Sequence, residues 1–263
     1  MSISVNNLSF SYGENQVLKD VSFQFDYGDF VSVIGPNGAG KSTLFKCLLG
    51  INKLKGGSIL IDGKDISEYG QRELAKRVAY IPQFHAPAFN YSVMDMVLMG
   101  TTAQLGYKSS PGTKQIKTAQ SALEQLGIAH LRDRGFKNLS GGERQLVMIA
   151  RAIAQKAKIM IMDEPTASLD FGNSVIVMKT MGKLAEDGYL IIQSTHDPNQ
   201  AFMYSTKIIA LSKGTVVKCA TPREVVEDEL ISNLYDADIK VCSLNEDSVR
   251  VCVPADIVKQ YTK

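Results

Sequence analysis

A glycine-rich nonapeptide, Gly35–Thr43, constrains this chain more than any other segment. It reads Gly-Pro-Asn-Gly-Ala-Gly-Lys-Ser-Thr, which matches the GxxxxGK[ST] pattern of a phosphate-binding loop, or P-loop. The apolar run Phe30–Ile34 before it predicts a strand, and Thr43–Leu49 after it predicts a helix that ends at Gly50. This order places backbone N–H groups and the positive end of a helix around phosphate oxygens. The segment therefore predicts binding of a nucleoside triphosphate.

Two side chains of the loop have distinct predicted roles. Lys41 is expected to neutralise the β- and γ-phosphates, and the Ser42 hydroxyl is expected to ligate Mg²⁺. The predicted nucleotide-binding residues of the loop are Gly35, Pro36, Asn37, Gly38, Ala39, Gly40, Lys41, Ser42 and Thr43.

Two adjacent carboxylates follow a continuously apolar run. Ile159–Met162 predicts a buried strand, and Asp163 and Glu164 stand at its carboxyl end, where open α/β sheets place ligand chemistry. Asp163 is suited to hold the water shell of Mg²⁺. Glu164 can polarise a water for in-line attack on a γ-phosphoryl group, as a general base. The pair alone would be equally consistent with a solvated turn, but the P-loop favours hydrolysis. Kinases, GTPases, helicases and transporters all remain open at this point.

The periodicity of the rest of the chain predicts an α/β fold. Alternating segments at Ile3–Phe10 and Val17–Phe25 predict an N-terminal antiparallel β subdomain, and helical patterns between about 92 and 155 predict an inserted helical subdomain. Tyr189–Ser194 predicts another buried strand of a P-loop NTPase core. The predicted division is an ATPase domain at 1–238, with its helical insert at about 84–155, and a C-terminal β-hairpin extension at 239–263.

Composition excludes several other classes of protein. Hydrophobic residues make up 44% of the chain and charged residues 21%, which is typical of a globular protein. The formal net charge is +2 and no basic tail occurs, so no nucleic-acid partner is expected. The four cysteines are scattered, as in a reducing compartment, and His85 and His130 lack partners at metal-binding spacing. No leader and no membrane-spanning run is predicted.

One further motif identifies a family resemblance. Leu139–Glu143 reads Leu-Ser-Gly-Gly-Glu, stands about twenty residues before Asp163, and resembles the signature of the ABC ATPases. By itself it would be read as a capped helix N-terminus. In the family this motif reaches the γ-phosphate held by the P-loop of the other subunit. The resemblance therefore implies that Ser140, Gly141 and Gly142 complete an ATP site of a second copy in a head-to-tail dimer.

Four more positions match the family residue by residue. Gln83 resembles the glutamine that contacts Mg²⁺ and the attacking water and begins the loop facing the membrane subunit. His196 resembles the switch histidine that binds the γ-phosphate and keeps Glu164 and the water in place. Asp170 resembles the loop that crosses the dimer interface, and Tyr12 resembles the aromatic residue that stacks on adenine. Without the other motifs, Gln83 would be interpreted as an exposed loop residue and His196 as a structural histidine. Asp170 would be interpreted as a helix cap and Tyr12 as a surface tyrosine.

The resemblance extends from Tyr12 to about Pro222 and implies an ATP-hydrolysing motor subunit with ATP and Mg²⁺ as ligands. The implied direct partners are a second copy or a paralogous ATPase, and separate multi-span permease subunits. An extracytoplasmic substrate-binding protein is implied as an indirect partner. The chain itself would be a peripheral protein at the cytoplasmic face of the membrane. The stretch Tyr91–Gly100, with Leu105, Gly106 and Pro111, resembles ATPases of importers for iron–siderophore complexes, haem and cobalamin. The alternatives are an exporter, another metal or oxyanion importer, and a non-transport ABC ATPase.

Overall fold

The computed structural model describes residues 1–83, 89–105, 110–245 and 249–261, with the backbone alone for 259–261. Its strands, in chain order, are β1 (Ile3–Tyr12), β2 (Asn15–Phe25), β3 (Phe30–Ile34), β4 (Gly56–Ile61), β5 (Lys64–Asp65), β6 (Val78–Ile81), β7 (Ile159–Asp163), β8 (Leu190–Ser194), β9 (Lys207–Ser212), β10 (Thr215–Ala220), β11 (Ile239–Leu244) and β12 (Val249–Pro254).

The helices, in the same order, are α1 (Lys41–Leu48), α2 (Gln71–Leu74), α3 (Val93–Leu98), α4 (Thr113–Gln125), α5 (Gly141–Ala154), α6 (Phe171–Glu186), α7 (Pro198–Tyr204), α8 (Pro222–Val225), α9 (Asp228–Tyr235) and α10 (Ala255–Tyr261). Short 3-10 turns cover Ile66–Glu68, Met99–Gln104, Ala129–Leu131 and Phe136–Asn138.

Two sheets form the framework of the molecule. The N-terminal sheet is antiparallel, with strand order β2-β1-β4-β5, and the central sheet has the order β10-β9-β3-β8-β7-β6. Strands β3 and β6 to β9 run parallel, and β10 adds an antiparallel edge. Every residue of β3 and β8 is buried, which explains why both segments are almost continuously apolar. The predicted α/β core with an antiparallel N-terminal sheet is confirmed.

The register of the central sheet brings three strand ends together. Val33 near the end of β3 and Asp163 at the end of β7 both pair with Ser194 at the end of β8. The P-loop after β3, the carboxylates after β7 and His196 after β8 therefore lie at one edge of the sheet, where parallel α/β proteins bind ligands.

The helix after the P-loop begins at Lys41, two residues before the predicted start at Thr43. Its N-cap is Gly40, whose φ of 107° lies in the left-handed region that glycine adopts without steric cost. Since the chain turns into the helix at that point, Lys41 and Ser42 belong to the first helical turn and face the loop they follow.

Helices α3, α4 and α5 pack against one another, and α5 also contacts α6 and β6. Their shared core is apolar and contains Val97, Leu123, Val147 and Ile149, each fully buried. These helices fall within the predicted insert at about 84–155, of which residues 84–88 and 106–109, including His85 and Gly106, lie outside the described residues. The division of the chain into domains remains a prediction.

The C-terminal segment pairs β11 with β12 and continues into α10. Strand β11 packs on α9, and β12 packs on α7. The Asn199 side chain of α7 donates to the Cys252 carbonyl at 3.2 Å and accepts from the Cys252 N–H at 2.7 Å. The hairpin is thus hydrogen-bonded to the helix that follows His196.

Among the described helices, none combines the length and the apolar character needed to cross a lipid bilayer.

Candidate functional site

An open pocket of about 710 Å³ lies at the carboxyl edge of the central sheet. Its floor is the P-loop and the start of α1, and its far side is formed by Gln83, Glu164 and His196. Among the residues that the structure describes, the lining is Val17, Asn37, Gly38, Ala39, Gly40, Lys41, Ser42, Thr43, Gln83, Glu164 and His196. Loop, carboxylate and histidine come from three strand ends, so only the folded sheet assembles this pocket.

The P-loop packs tightly against the central sheet on one side and leaves free space on the side that faces the pocket. Gly35 is buried with φ 146°, and a Cβ there would lie 2.0 Å from the Leu211 carbonyl oxygen. The loop then turns back on itself, because the Ala39 N–H donates to the Pro36 carbonyl at 3.2 Å. At Gly38, with φ 80°, a Cβ would meet nothing within 4 Å. The glycine conformations therefore leave room above the loop for a bulky anion.

Lys41 places a cation at the centre of the loop. Its Nζ donates to the carbonyls of Gly35 at 2.6 Å and Pro36 at 3.1 Å, and the residue is buried. Burial lowers the pKa of the Lys41 ammonium, while the nearby carboxylates of Glu164 and Asp163 act in the opposite sense. The ammonium is thus held by backbone dipoles within reach of the pocket.

The Asp163 carboxylate, predicted as a Mg²⁺ ligand, and Glu164, predicted as the general base, are joined through a serine. The Ser194 hydroxyl donates to Asp163 Oδ1 at 2.6 Å and accepts from the Glu164 N–H at 3.0 Å. Glu164 has φ 46°, a left-handed conformation that is uncommon for a residue with a side chain. The turn directs the Glu164 side chain into the pocket.

Two predicted site residues meet at one oxygen of Glu164. Gln83 Nε2 donates to Glu164 Oε2 at 2.9 Å, and His196 Nδ1 lies 3.4 Å from the same oxygen. The Glu164 side chain is 17% exposed and that of His196 61%, so the carboxylate is sheltered and the imidazole reaches solvent. Gln83, Glu164 and His196 form one cluster facing Lys41 and Ser42 across the pocket.

The signature residues lie outside this pocket. Ser140 caps α5, where its hydroxyl accepts from the Glu143 N–H at 3.2 Å and its own N–H donates to Glu143 Oε2 at 2.7 Å. That backbone bond lowers the pKa of the Glu143 carboxyl. Gly141, the first helical residue, is exposed. The N-terminus of this 14-residue helix therefore opens to a surface rather than to the chain's own P-loop.

The loop at Asp170 packs against the signature. Asp170 caps α6 by accepting from the Asn173 N–H at 2.8 Å, and this bond lowers the pKa of its carboxyl. Asn173 in turn fills the space beside Gly142, since a Cβ at Gly142 would lie 2.2 Å from Asn173 Oδ1. Asp170 and Ser140 thus cap neighbouring helices, and neither they nor the buried Gly142 line the P-loop pocket.

Tyr12 is the last residue of β1 and does not line the pocket. It is 48% exposed, stands edge-on to Phe10 with ring centroids 4.8 Å apart, and accepts a hydrogen bond from Asn52 at 3.2 Å. Its role in stacking on adenine remains a prediction. Val17, which does line the pocket, was not predicted, because an apolar residue in an alternating strand carries no signal of a ligand.

Comparisons with known proteins agree with this geometry. A family model described as ABC transporter matches residues 18–167, more than half of the chain. The probable iron chelatin transport ATP-binding protein of Helicobacter pylori is 38% identical over 243 residues, which cover 91% of this chain and 95% of the relative. The molybdate import ATP-binding protein MolC of Haemophilus influenzae is 36% identical over 235 residues, covering 89% and 87% of the two chains.

A solved structure shows the same fold along nearly the whole chain. This structure, an inward-facing ABC transporter of proposed metal-chelate type, is 34% identical, has a TM-score of 0.86 and covers 96% of both chains. The expected resemblance to ATPases of iron–siderophore, haem and cobalamin importers is confirmed, since the similar proteins include an iron chelatin transport protein and an ABC transporter of metal-chelate type. With its P-loop, its paired carboxylates and its signature motif in that fold, the chain belongs to the ABC transporter family and is an ATP-binding, ATP-hydrolysing subunit.

Proposed function

We propose that this chain is the motor subunit of an ABC importer, in which ATP binding closes a dimer and hydrolysis reopens it. The observation that carries the proposal is the cluster at Glu164 Oε2, where Gln83 and His196 meet opposite the P-loop. A carboxylate held by two neighbours beside a triphosphate pocket is suited to activate water.

The nucleotide lies along the P-loop in this proposal. The N–H groups of the residues from Asn37 to Thr43 surround its β- and γ-phosphates, and Lys41 exchanges its carbonyl contacts for phosphate oxygens. Tyr12 stacks on the adenine from the rim. The open space above Gly38 supports this placement.

The donor set also fits Mg²⁺. Ser42, Gln83 and Asp163 offer hydroxyl, amide and carboxylate oxygens, the hard ligands that Mg²⁺ prefers. Ser42 and Gln83 line the pocket, and the Asp163 carboxylate lies near enough to Lys41 to act on its pKa. Bound there, Mg²⁺ would offset the negative charge of the phosphate oxygens.

Glu164 takes a proton from the attacking water, which reacts in line with the γ-phosphoryl group. His196 binds the γ-phosphate and, from its position 3.4 Å from Glu164 Oε2, keeps the carboxylate aligned. Gln83 orients the water from the other side. Each of these roles uses a contact or a lining position of the pocket.

A second copy completes the site. Ser140, Gly141 and Gly142 form the N-terminus of α5 and do not line the P-loop pocket of their own chain, so in this proposal their anion-binding groups serve the γ-phosphate of the partner. Asp170 crosses the same interface. A homodimer, or a dimer with a paralogous ATPase, therefore holds two nucleotides between its subunits.

The surface around Gln83 and the helical insert docks on separate permease subunits at the cytoplasmic face of the membrane, with an extracytoplasmic binding protein delivering cargo. We assign the cargo to the iron–siderophore, haem or cobalamin type, since the relatives include an iron chelatin system. The molybdate relative supports an oxyanion importer as the second candidate.

The Glu164→Gln variant tests the proposed mechanism. It should bind ATP and form the nucleotide-sandwiched dimer, but its hydrolysis should fall by about 100-fold or more because the amide cannot accept the water's proton. ATP-dependent dimerisation is measured by size-exclusion chromatography and turnover by phosphate release. Wild-type turnover in this variant would overturn the assignment of Glu164 as the base.

A further inference from the structure

Ser194 stands between the two carboxylates on which the proposed mechanism depends. It is the last residue of β8, is fully buried, and pairs in register with Asp163 on one side and Val33 on the other. A polar side chain at this depth needs hydrogen-bond partners. Both partners of the Ser194 hydroxyl belong to the site.

The hydroxyl makes two bonds of opposite sense. It donates to Asp163 Oδ1 at 2.6 Å and accepts from the Glu164 N–H at 3.0 Å. A serine hydroxyl supplies one donor and two acceptor sites, so a single group can satisfy both neighbours. An alanine or a valine at this position could satisfy neither.

The backbone of Glu164 needs such support. Its φ of 46° lies in the left-handed region, which is unfavourable for a residue with a side chain and persists only where the surrounding structure holds it. The bond from the Glu164 N–H to Ser194 fixes this turn. This backbone conformation determines where the Glu164 carboxylate contacts Gln83 and His196.

We propose that Ser194 is a positioning residue that aligns the Asp163 carboxylate and the Glu164 turn through one buried hydroxyl. Ser194 does not touch the reacting atoms. It links the carboxylate proposed to hold Mg²⁺ to the one proposed to activate water, so both reach their working positions together. This inference rests on the proposed function.

The Ser194→Ala variant should lower kcat by about 10- to 100-fold, the usual effect of removing a partner that orients a ligand or catalytic group, with little change in KM for ATP. The matched control is Ser32→Ala. Ser32 is also fully buried in the central sheet, on the neighbouring strand, and its hydroxyl bonds to Gln193 and Ser205 instead of the carboxylates. Both variants should melt at a lower temperature, but Ser32→Ala should keep wild-type kcat.

A second measurement does not depend on turnover. In a Glu164→Gln background, the melting temperature with ATP is compared in EDTA and in Mg²⁺. The rise caused by Mg²⁺ should be smaller when Ser194 is also alanine, because Asp163 has lost its orienting donor. Ser194→Thr, which restores a hydroxyl, should recover kcat and the Mg²⁺ response. If Ser194→Ala does not fold, Ser194→Cys, with a thiol that is a weak donor and acceptor, should give the same fall in kcat.

The outcomes separate the two proposals. If Ser194→Ala keeps wild-type kcat and the full Mg²⁺ response, or if Ser32→Ala loses as much kcat, the positioning role is wrong. If Glu164→Gln itself hydrolyses ATP at the wild-type rate, the proposed function of Glu164 is wrong, whatever Ser194 does.

Discussion

Gly35 is required by the packing of the protein itself, in addition to its predicted contact with a phosphate. The sequence pattern explains this glycine by the close approach of phosphate, but in the structure the nearer neighbour is protein. A Cβ at Gly35 would lie 2.0 Å from the Leu211 carbonyl oxygen of β9, so the P-loop begins at a point of close backbone packing. Gly38, in the same loop, has no such neighbour. The two glycines are therefore required for different reasons.

This difference predicts unequal stability losses. Gly35→Ala should lower the free energy of unfolding by about 3 kcal/mol or more, since strain at positive φ adds to overpacking against backbone. Gly38→Ala should cost only about 1–2 kcal/mol from its left-handed conformation. Urea unfolding without nucleotide measures both. Equal losses would show that the contact with Leu211 relaxes freely.

At the scale of elements, α7 connects His196 to the C-terminal hairpin. Asp197 follows His196 and caps α7 by accepting from the Asn199 and Gln200 N–H groups. Two residues later, the Asn199 side chain donates to the Cys252 carbonyl and accepts from the Cys252 N–H of β12, as a neighbouring strand would. The Asn199 side chain thus attaches the hairpin to the core with the two hydrogen bonds that a neighbouring strand would otherwise make.

Asn199→Leu should therefore destabilise the protein by about 1–3 kcal/mol, because it leaves the Cys252 N–H and carbonyl without their partner. Asn233→Leu, at an exposed position of α9, is the control and should change stability by less than about 0.5 kcal/mol. Thermal melting compares the variants, and hydrogen exchange of the Cys252 amide locates the effect. Unchanged exchange of the Cys252 amide in Asn199→Leu would contradict the role of the hydrogen bonds between Asn199 and Cys252.

At the scale of the whole molecule, the proposed ATP site needs groups from two separate regions of the chain. The P-loop pocket contains Lys41 and Glu164, whereas Ser140 caps a helix that opens elsewhere. In this structure Ser140 does not line the P-loop pocket of its own chain. A symmetric dimer satisfies both halves at once.

Mixing two variants with impaired hydrolysis tests whether the ATP site is shared between two subunits. Lys41→Ala should abolish ATP binding to its own pocket, and Ser140→Ala should slow hydrolysis while leaving the monomer's affinity for ATP unchanged. A mixture of the two should regain hydrolysis, because each mixed dimer has one site with an intact P-loop and an intact signature. Phosphate release by each variant alone and by the mixture gives the comparison. No recovery, or a loss of ATP affinity in the Ser140→Ala monomer, would contradict the shared site.

Local patterns alone predicted the P-loop, the buried strands and the carboxylates at 163 and 164, since each depends on residue types within a few positions along the chain. The family resemblance added Gln83 and His196. Neither route pointed to Ser194 or Asn199, because a serine at the end of an apolar run and an asparagine in a helix carry no distinctive pattern.

What only the tertiary structure decided is which distant groups meet. Ser194 follows Asp163 by 31 positions and becomes its neighbour because β7 and β8 pair in parallel register. Asn199 reaches Cys252 across 53 positions because α7 packs on β12. Sequence by itself determined the chemistry of the P-loop, because the bonds that place Lys41 join residues at most six positions apart. The alignment of the carboxylates behind it depends on contacts between strands, which form only when the sheet is complete.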